Sequence, residues 1–447
     1  VGSSSQPAAP LTRVYDLITG DEDARVCADI PDSACRDVPA NFFLHLASQI
    51  ATKTGDQLAS ARLVLAWLLT SAGAPAFMTG LLVPIRESLA LLPQLAVAGL
   101  LRRVARRKWF WVAGSLAQGL CVAGMALVAA AAADGRVRGL TAGWIVLVLL
   151  VAFSLARGIC SVTGKDVLGK TVPKTRRGTL MGYAAAVAGV ATLVVGLAVN
   201  AARERPEANG IFVLMLAGAA LLWFAASALF GSIREVPGAT EGGASALRQA
   251  LTNLRLLGSD RAFRGFIVTR TLLLSTALVQ PFYVVLAREH GDEGLAGLGL
   301  LIVAAGLAQS LSAPIWGRMA DRSSRRVLVA AALIAGATGL IVFAATHLVA
   351  DGPVASYAYS LLFLVLAVAH SGVRLGRKTY LLDMATLETR AAYVAVSNTI
   401  IGLLLLLGGS VGLLADRFGP DYAVLLLALL SLAAALRATL LPEVQRG

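Results

Sequence analysis

Residues 100–132 read LLRRVARRKWFWVAGSLAQGLCVAGMALVAAAA: five basic residues within nine positions, then 24 positions without a charge. As a helix rising 1.5 Å per residue, the uncharged part is about 36 Å long, enough to cross the ~30 Å hydrocarbon core of a bilayer. The basic run before it belongs to a short loop, and Lys and Arg in such loops mark the cytoplasmic side. One stretch therefore yields both a span and its orientation.

Apolar stretches of similar length recur on either side of it. The expected spans are 44–72, 75–99, 109–132, 141–163, 178–200, 210–232, 263–287, 295–316, 327–349, 355–377, 392–415 and 421–440. The fold class this predicts is an all-α integral membrane protein with twelve transmembrane helices. The first span is overlong, so it is expected to tilt, break near Gly55 or begin outside the bilayer. Loops after even-numbered spans carry LLRRVARRKW, GKDVLGKTVPKTRRG, GRMADRSSRRV and RLGRKTYLLDMATLETR, whereas SAGAP and THLVADGPV after odd-numbered spans have no Lys or Arg. Both termini are thus expected in the cytoplasm of a plasma membrane, the inner membrane of a bacterium.

Composition agrees. Hydrophobic residues make up 57% of the 447, charged residues 15%, and the mean hydropathy is +0.74. A soluble domain is about a quarter charged, and one this apolar would expose aggregating patches. The net charge of +13 does not indicate nucleic acid, because the basic residues sit in short loops instead of along one face. Residues 1–38 are rich in Ser, Pro and acids, have no secretory signal pattern, and are expected to form a cytoplasmic tail. Two six-helix units are expected at 39–232 and 263–441, joined by a linker at 233–262 and followed by a tail at 442–447. Within the linker, LRQALTNLRLL is expected to lie along the membrane surface. Cys27 and Cys35 are expected as reduced thiols in the tail, and Cys121 and Cys160 as filler inside helices.

An internal repeat supports the division into halves. AGLLRRVARRKWFWVAG from Ala98 aligns with WGRMADRSSRRVLVAAA from Trp316, matching Gly99 to Gly317 and Arg106-Arg107-Lys108 to Arg325-Arg326. These residues resemble the loop signature of the major facilitator superfamily (MFS), approximately G-x-x-x-D-R-x-x-R-R after helices 2 and 8. Gly317, Asp321, Arg322, Arg325 and Arg326 fit the second copy, whereas the first has Arg103 in the acidic position. PKTRRGTLMG (173–182) resembles the family's entry into helix 5, and GGSVGLLADRFG (408–419) its connection from helix 11 to helix 12. The resemblance implies two pseudo-symmetric six-helix bundles (the MFS fold) rocking about a central cavity. It assigns a conformational gate to Gly99, Arg103, Gly317, Asp321, Arg322 and Arg326, with Asp321 pairing to Arg322 or Arg326.

Ionisable groups inside spans cost about 2.5–3.5 kcal/mol each on insertion scales, so they face a cavity or a partner. The first span holds Lys53 and Asp56, three apart on one helix face. The second holds Arg86 and Glu87 after Pro84, the fourth Arg157, and the tenth His370 and Arg374. Lys165, Lys170, Arg377 and Lys378 are expected to snorkel to the interface. Arg157 and His370 occupy roughly corresponding positions in the two halves. Arg86, Arg157, Lys53, His370 and Arg374 are the candidate substrate-binding residues, since the guanidinium fork suits carboxylate and phosphate. Asp56 and Glu87 are the candidate proton-coupling sites. A permanent ion-pair network holding helices together is the competing reading.

The function this predicts is secondary active transport of a small polar, anionic or zwitterionic organic solute through a charged cavity, with a proton as coupling partner and the chain acting as a monomer. Efflux of amphipathic drugs or lipid-like compounds is the alternative, although GYAAAVAGVATLVVGLAVN (182–200) lacks the proline of the drug-antiporter helix 5 signature. Its Gly182, Gly189 and Gly196, seven apart, suit close helix packing. A transporter-like sensor is a third reading. No phosphate-binding loop, metal-ligand spacing or nucleophile motif occurs, so no cofactor, metal or enzymatic activity is expected.

Overall fold

The computed structural model describes Tyr15 and residues 35–92, 104–201, 210–238, 256–291, 295–348, 352–385 and 390–445. Among the described residues there are helices and no strands. In chain order the helices are α1 Val38–Leu58, α2 Val64–Ser71, α3 Ala76–Leu91, α4 Lys108–Ala133, α5 Gly139–Thr171, α6 Lys174–Ala201 and α7 Gly210–Gly231. There follow α8 Leu256–Ser259, α9 Arg261–Leu272, α10 Ser275–Leu278, α11 Gln280–His290, α12 Leu295–Arg322 and α13 Ser324–Leu348. The last four are α14 Pro353–Met384, α15 Arg390–Gly408, α16 Val411–Phe418 and α17 Pro420–Thr439.

Ten helical runs among the described residues are long and apolar enough to cross a membrane. Twelve spans were expected, and the two that fall short are the first pair. The first is divided into α1 and α2 by Ala59–Leu63, and α1 carries Lys53 and Asp56; the described part of the second ends near Leu92. The charges that lower their hydropathy are those of the candidate site. The break also lies past Gly55, the position expected from the sequence. Gly55 is helical and lies under Trp223, whose Cζ3 would be 3.1 Å from an added methyl group. Its small size serves packing, not bending.

The outer surface is apolar, with Leu127, Leu214 and Leu361 more than half exposed, as lipid contact requires. Between helices the contacts depend on small residues. A methyl group on Gly114 would stand 2.6 Å from Cys160 Sγ, and one on Gly339 2.6 Å from Ala428 Cβ. Cys121 and Cys160 are buried free thiols, as expected of filler. Cys35 is disulfide-bonded, which corrects its reading as a reduced thiol; Cys27 lies outside the described residues. Most of the linker, including nearly all of LRQALTNLRLL, also lies outside them.

One face of the molecule carries the basic loops. There the ends of the two halves are secured by the same device. Glu235, just after α7, accepts from the backbone N–H of Arg107 and Lys108 at 2.9 and 2.8 Å, capping α4. Lys170 lies 3.2 Å from the same carboxylate. In the second half Glu443, after α17, accepts from Ser323 Oγ at 2.7 Å and lies 3.5 Å from Arg325 Nε at the start of α13. Gln445 accepts from the Ser324 N–H at 2.5 Å. Glu235-Val236 and Glu443-Val444 are therefore a second repeat, absent from the sequence reading.

On the opposite face the halves meet. α3 and α16 touch where a methyl on Gly80 would be 2.8 Å from Gly412 Cα. The Phe77 N–H donates to Asp416 Oδ1 at 3.1 Å, and Arg288 Nη1 to the Thr70 carbonyl at 3.1 Å. α6 and α12 converge there too, where a methyl on Gly196 would be 2.9 Å from Val303 N and one on Gly299 2.6 Å from Asn200 N. Toward the basic face they part. A methyl on Gly189 would stand 3.8 Å from Ser310 Oγ, and one on Gly182 or Gly317 would meet nothing within 4 Å among the described residues of other elements. Among the described residues the seam between α6 and α12 is therefore open toward the basic face and closed toward the other.

Candidate functional site

The i, i+3 spacing of Lys53 and Asp56 puts both on the inner face of α1, as the helical period requires. Arg86 and Glu87 are adjacent on α3 and point about 100° apart, so each finds a different partner. Arg86 Nη2 donates to Asp56 Oδ1 at 2.9 Å. Arg157 Nη1, from α5, donates to both Asp56 oxygens at 2.5 and 2.6 Å. One carboxylate thus serves two arginines, and Arg86 also lies over the Phe153 ring, 5.2 Å from its centroid.

Glu87 accepts from Arg62 Nη2 at 2.8 Å. Arg62 was not selected from the sequence, and it is central. On an unbroken helix it would point about 240° away from Asp56. The interruption at Ala59–Leu63 instead turns it toward the site, where Nη1 lies 2.7 Å from His370 Nε2. Arginine can only donate, so Nε2 accepts and the ring proton sits on Nδ1. That nitrogen lies 3.1 Å from Thr276 Oγ1. Thr276 belongs to α10, the short helix within the interrupted seventh span. Both interrupted spans thus meet on one imidazole.

The remaining links between the halves here are neutral. Gln57 Nε2 donates to Gln309 Oε1 at 3.0 Å, a pair that no charge or motif signalled. Lys53 and Arg374 line the cavities and make no hydrogen bond or ion pair among the described residues. Arg270 is buried against Ser397 and Asn398, with its Nε unpartnered. Lys170 does not simply reach outward, since Asp166 at 2.7 Å and Glu235 hold it.

Two cavities share Lys53, Asp56 and Arg157. One, of about 280 Å³, lies in the first bundle and reaches Gln118, Cys160 and Lys165. The other, of about 290 Å³, lies between the bundles and is lined by Arg62, Gln280, Gln309, His370, Ser371 and Arg374. Together they are large enough for a small metabolite. The structure therefore brings together Lys53, Asp56, Arg86, Glu87, Arg157, His370 and Arg374. Among the described residues no three His, Cys, Asp or Glu side chains converge on a possible metal position.

The gate residues are placed only in part. Gly99 and Arg103 lie outside the described residues. Asp321 and Arg322 are exposed at the end of α12, and Asp321 makes no ion pair among the described residues. The Arg326 N–H donates to Ser323 Oγ at 3.1 Å, and it is Arg325 that reaches a carboxylate.

Residues 266–447 match the model of the Major Facilitator Superfamily. Uncharacterized proteins of Mycobacterium tuberculosis and Mycobacterium bovis are 26% identical over 304 residues, covering 64% of this chain and 56% of theirs. The chain thus spans about half the length of the curated relatives it matches. Three solved structures are similar throughout. The nucleoside transporter NupG superposes with a TM-score of 0.67 at 13% identity, covering 89% of this chain and 99% of its own. A POT family transporter in complex with 5-aminolevulinic acid gives 0.67 at 11%, covering 92% and 98%. The inward open conformation of the xylose transporter XylE from E. coli gives 0.64 at 13%, covering 90% and 97%. At such identity the likeness is one of fold. Most of the charged site lies before residue 266, outside the stretch the family model matches.

Proposed function

We propose that this chain, which resembles the Major Facilitator Superfamily in its fold and in its sequence over residues 266–447, is a membrane transporter rather than an enzyme and moves a small polar anionic or zwitterionic organic solute by alternating access. The observation that carries this reading is the surplus of cations at the shared cavity. Lys53, Arg62, Arg157, Lys165 and Arg374 face it, and Asp56 is the one carboxylate in its described lining. Guanidinium groups suit carboxylate and phosphate, which they grip with paired hydrogen bonds.

The basic face is taken as cytoplasmic from its Lys and Arg, so the described state is open inward. A solute anion entering from there competes with Asp56 for Arg157 and with Glu87 for Arg62. A carboxylate that loses its arginine while screened from water binds a proton, which couples the two events. Closure on the basic face would bring α6 and α12 together at Gly182 and Gly317, and opening would separate Gly196 from Val303.

Uptake into proteoliposomes tests this, using labelled carboxylates, phosphate esters, amino acids and a neutral sugar. The expected result is accumulation of an anionic or zwitterionic compound driven by a pH gradient and lost in Asp56→Asn and Glu87→Gln. If both variants still concentrate the compound against its gradient, the proton-site assignment is wrong. Transport of the neutral sugar alone would remove the anion reading.

A further inference from the structure

We propose that the cargo is an organic dianion, gripped by Lys53 of the first bundle and by Arg374 of the second. This rests on the transport reading above and narrows its substrate class. Of the four cations lining the cavity between the bundles, Arg62 and Arg157 already have carboxylate partners at 2.8 and 2.5 Å. Lys53 and Arg374 have none among the described residues, although each lines the 290 Å³ cavity between the bundles. The ion pairs of Asp56 go to Arg86 and Arg157 and not to either of them.

In the described state Arg374 is exposed and Lys53 half-buried, so water has access to both. Closing both faces around the cargo expels that water. Each cation left without a counter-charge then bears a desolvation penalty of several kcal/mol. A neutral solute relieves neither. A zwitterion introduces a further cation of its own, and a monoanion leaves one of the pair unmatched. Two negative charges match both, and the occluded state then carries no surplus on those residues.

The lining of that cavity also carries uncharged polar groups. The Gln57–Gln309 pair and Ser371 stand there, suited to hydroxyl or carbonyl groups on the body of the solute. Dicarboxylates and phosphate monoesters share the required chemistry. They differ in whether the charges lie at two ends or at one.

The test is thermal unfolding of the full chain purified in detergent, since a ligand that binds the native state raises its Tm. Succinate and glycerol 3-phosphate are the two dianion arms. Lactate, alanine and glucose are the monoanion, zwitterion and neutral arms, with ionic strength held constant by sodium chloride. Counterflow of the same labelled compounds in proteoliposomes is measured alongside. The expected result is a Tm rise and counterflow with at least one dianion. Succinate alone places the charges apart, and glycerol 3-phosphate alone places them together. Arg374→Gln should weaken dianion binding roughly tenfold or more while leaving the Tm of the empty protein unchanged, because Arg374 makes no hydrogen bond or ion pair among the described residues.

Lactate or alanine acting as strongly as the dianions would overturn the dianion assignment and leave the broader anion reading intact. Glucose acting alone would overturn both. Absence of any dianion effect in unfolding and in counterflow would reject the proposal. So would a dianion effect that persists undiminished in Arg374→Gln.

Discussion

The two halves of this molecule share their scaffolding and differ in their chemistry. Each half closes its basic end with a glutamate placed just after its last helix, Glu235 in one and Glu443 in the other. Inside the membrane the likeness ends. The first half holds Lys53, Asp56, Arg62, Arg86, Glu87 and Arg157, locked mostly to one another. The second contributes His370 and Arg374, with Arg62 reaching across to His370. A repeat conserves what both bundles need in order to stand. A binding site that must change its shape can instead be built from one fixed cluster and one movable wall.

Substitutions can break this contrast. The largest effect is expected for Asp56→Asn, which leaves Arg86 and Arg157 without a counter-ion. The cost is about 3 kcal/mol, at the lower end for a buried pair because the cavity admits water. Thermal unfolding in detergent should show a drop of several degrees, and an unchanged Tm would mean the first-half cluster is not what holds its helices. The caps come next. Glu235→Gln and Glu443→Gln should each cost about 1–2 kcal/mol through lost cap bonds and dipole interaction. Glu235→Gln should be the worse of the two, since Glu235 accepts from two backbone N–H groups and faces Lys170. The reverse order would show that the shared device is weighted toward the second half.

The smallest effect concerns α6. Gly182→Ala meets open space and should leave Tm unchanged to within about a degree, whereas Gly196→Ala presses on Val303 N and should cost about 1 kcal/mol through overpacking. Equal effects at the two glycines would argue against the divergence of α6 from α12 toward the basic face.

Much of the fold was legible because lipid imposes a simple requirement, some twenty apolar residues per crossing. Ten spans announce themselves in this way. The first two do so less clearly, because the charges of the site dilute their hydropathy. The same expense made the site's residues conspicuous: Asp56, Arg86, Glu87 and Arg157 were singled out as buried charges and lie within hydrogen-bonding reach of partners in that cluster. Their pairing was not legible. Arg62 escaped notice because a regular helix would have pointed it elsewhere, and the interruption that redirects it leaves no Pro or Gly between Ala59 and Leu63. Gln57 and Gln309 are 252 positions apart, and no local pattern connects them. Glu235 and Glu443 stand outside the spans, where a carboxylate is unremarkable until a helix end is seen above it.

Asp56 and Arg157 are separated by 101 positions along the chain. At ordinary synthesis rates of about 5–20 residues per second, roughly 5–20 s pass between the emergence of the carboxylate and that of the guanidinium that neutralises it. Over that interval α1 reaches the translocation machinery bearing Lys53 and Asp56 with no counterpart from α5. It is therefore a poor candidate for immediate release into lipid. Arg86 of α3, 30 positions after Asp56, supplies the first guanidinium, and the two-arginine cluster at the centre of the site is complete only when the fourth span follows it.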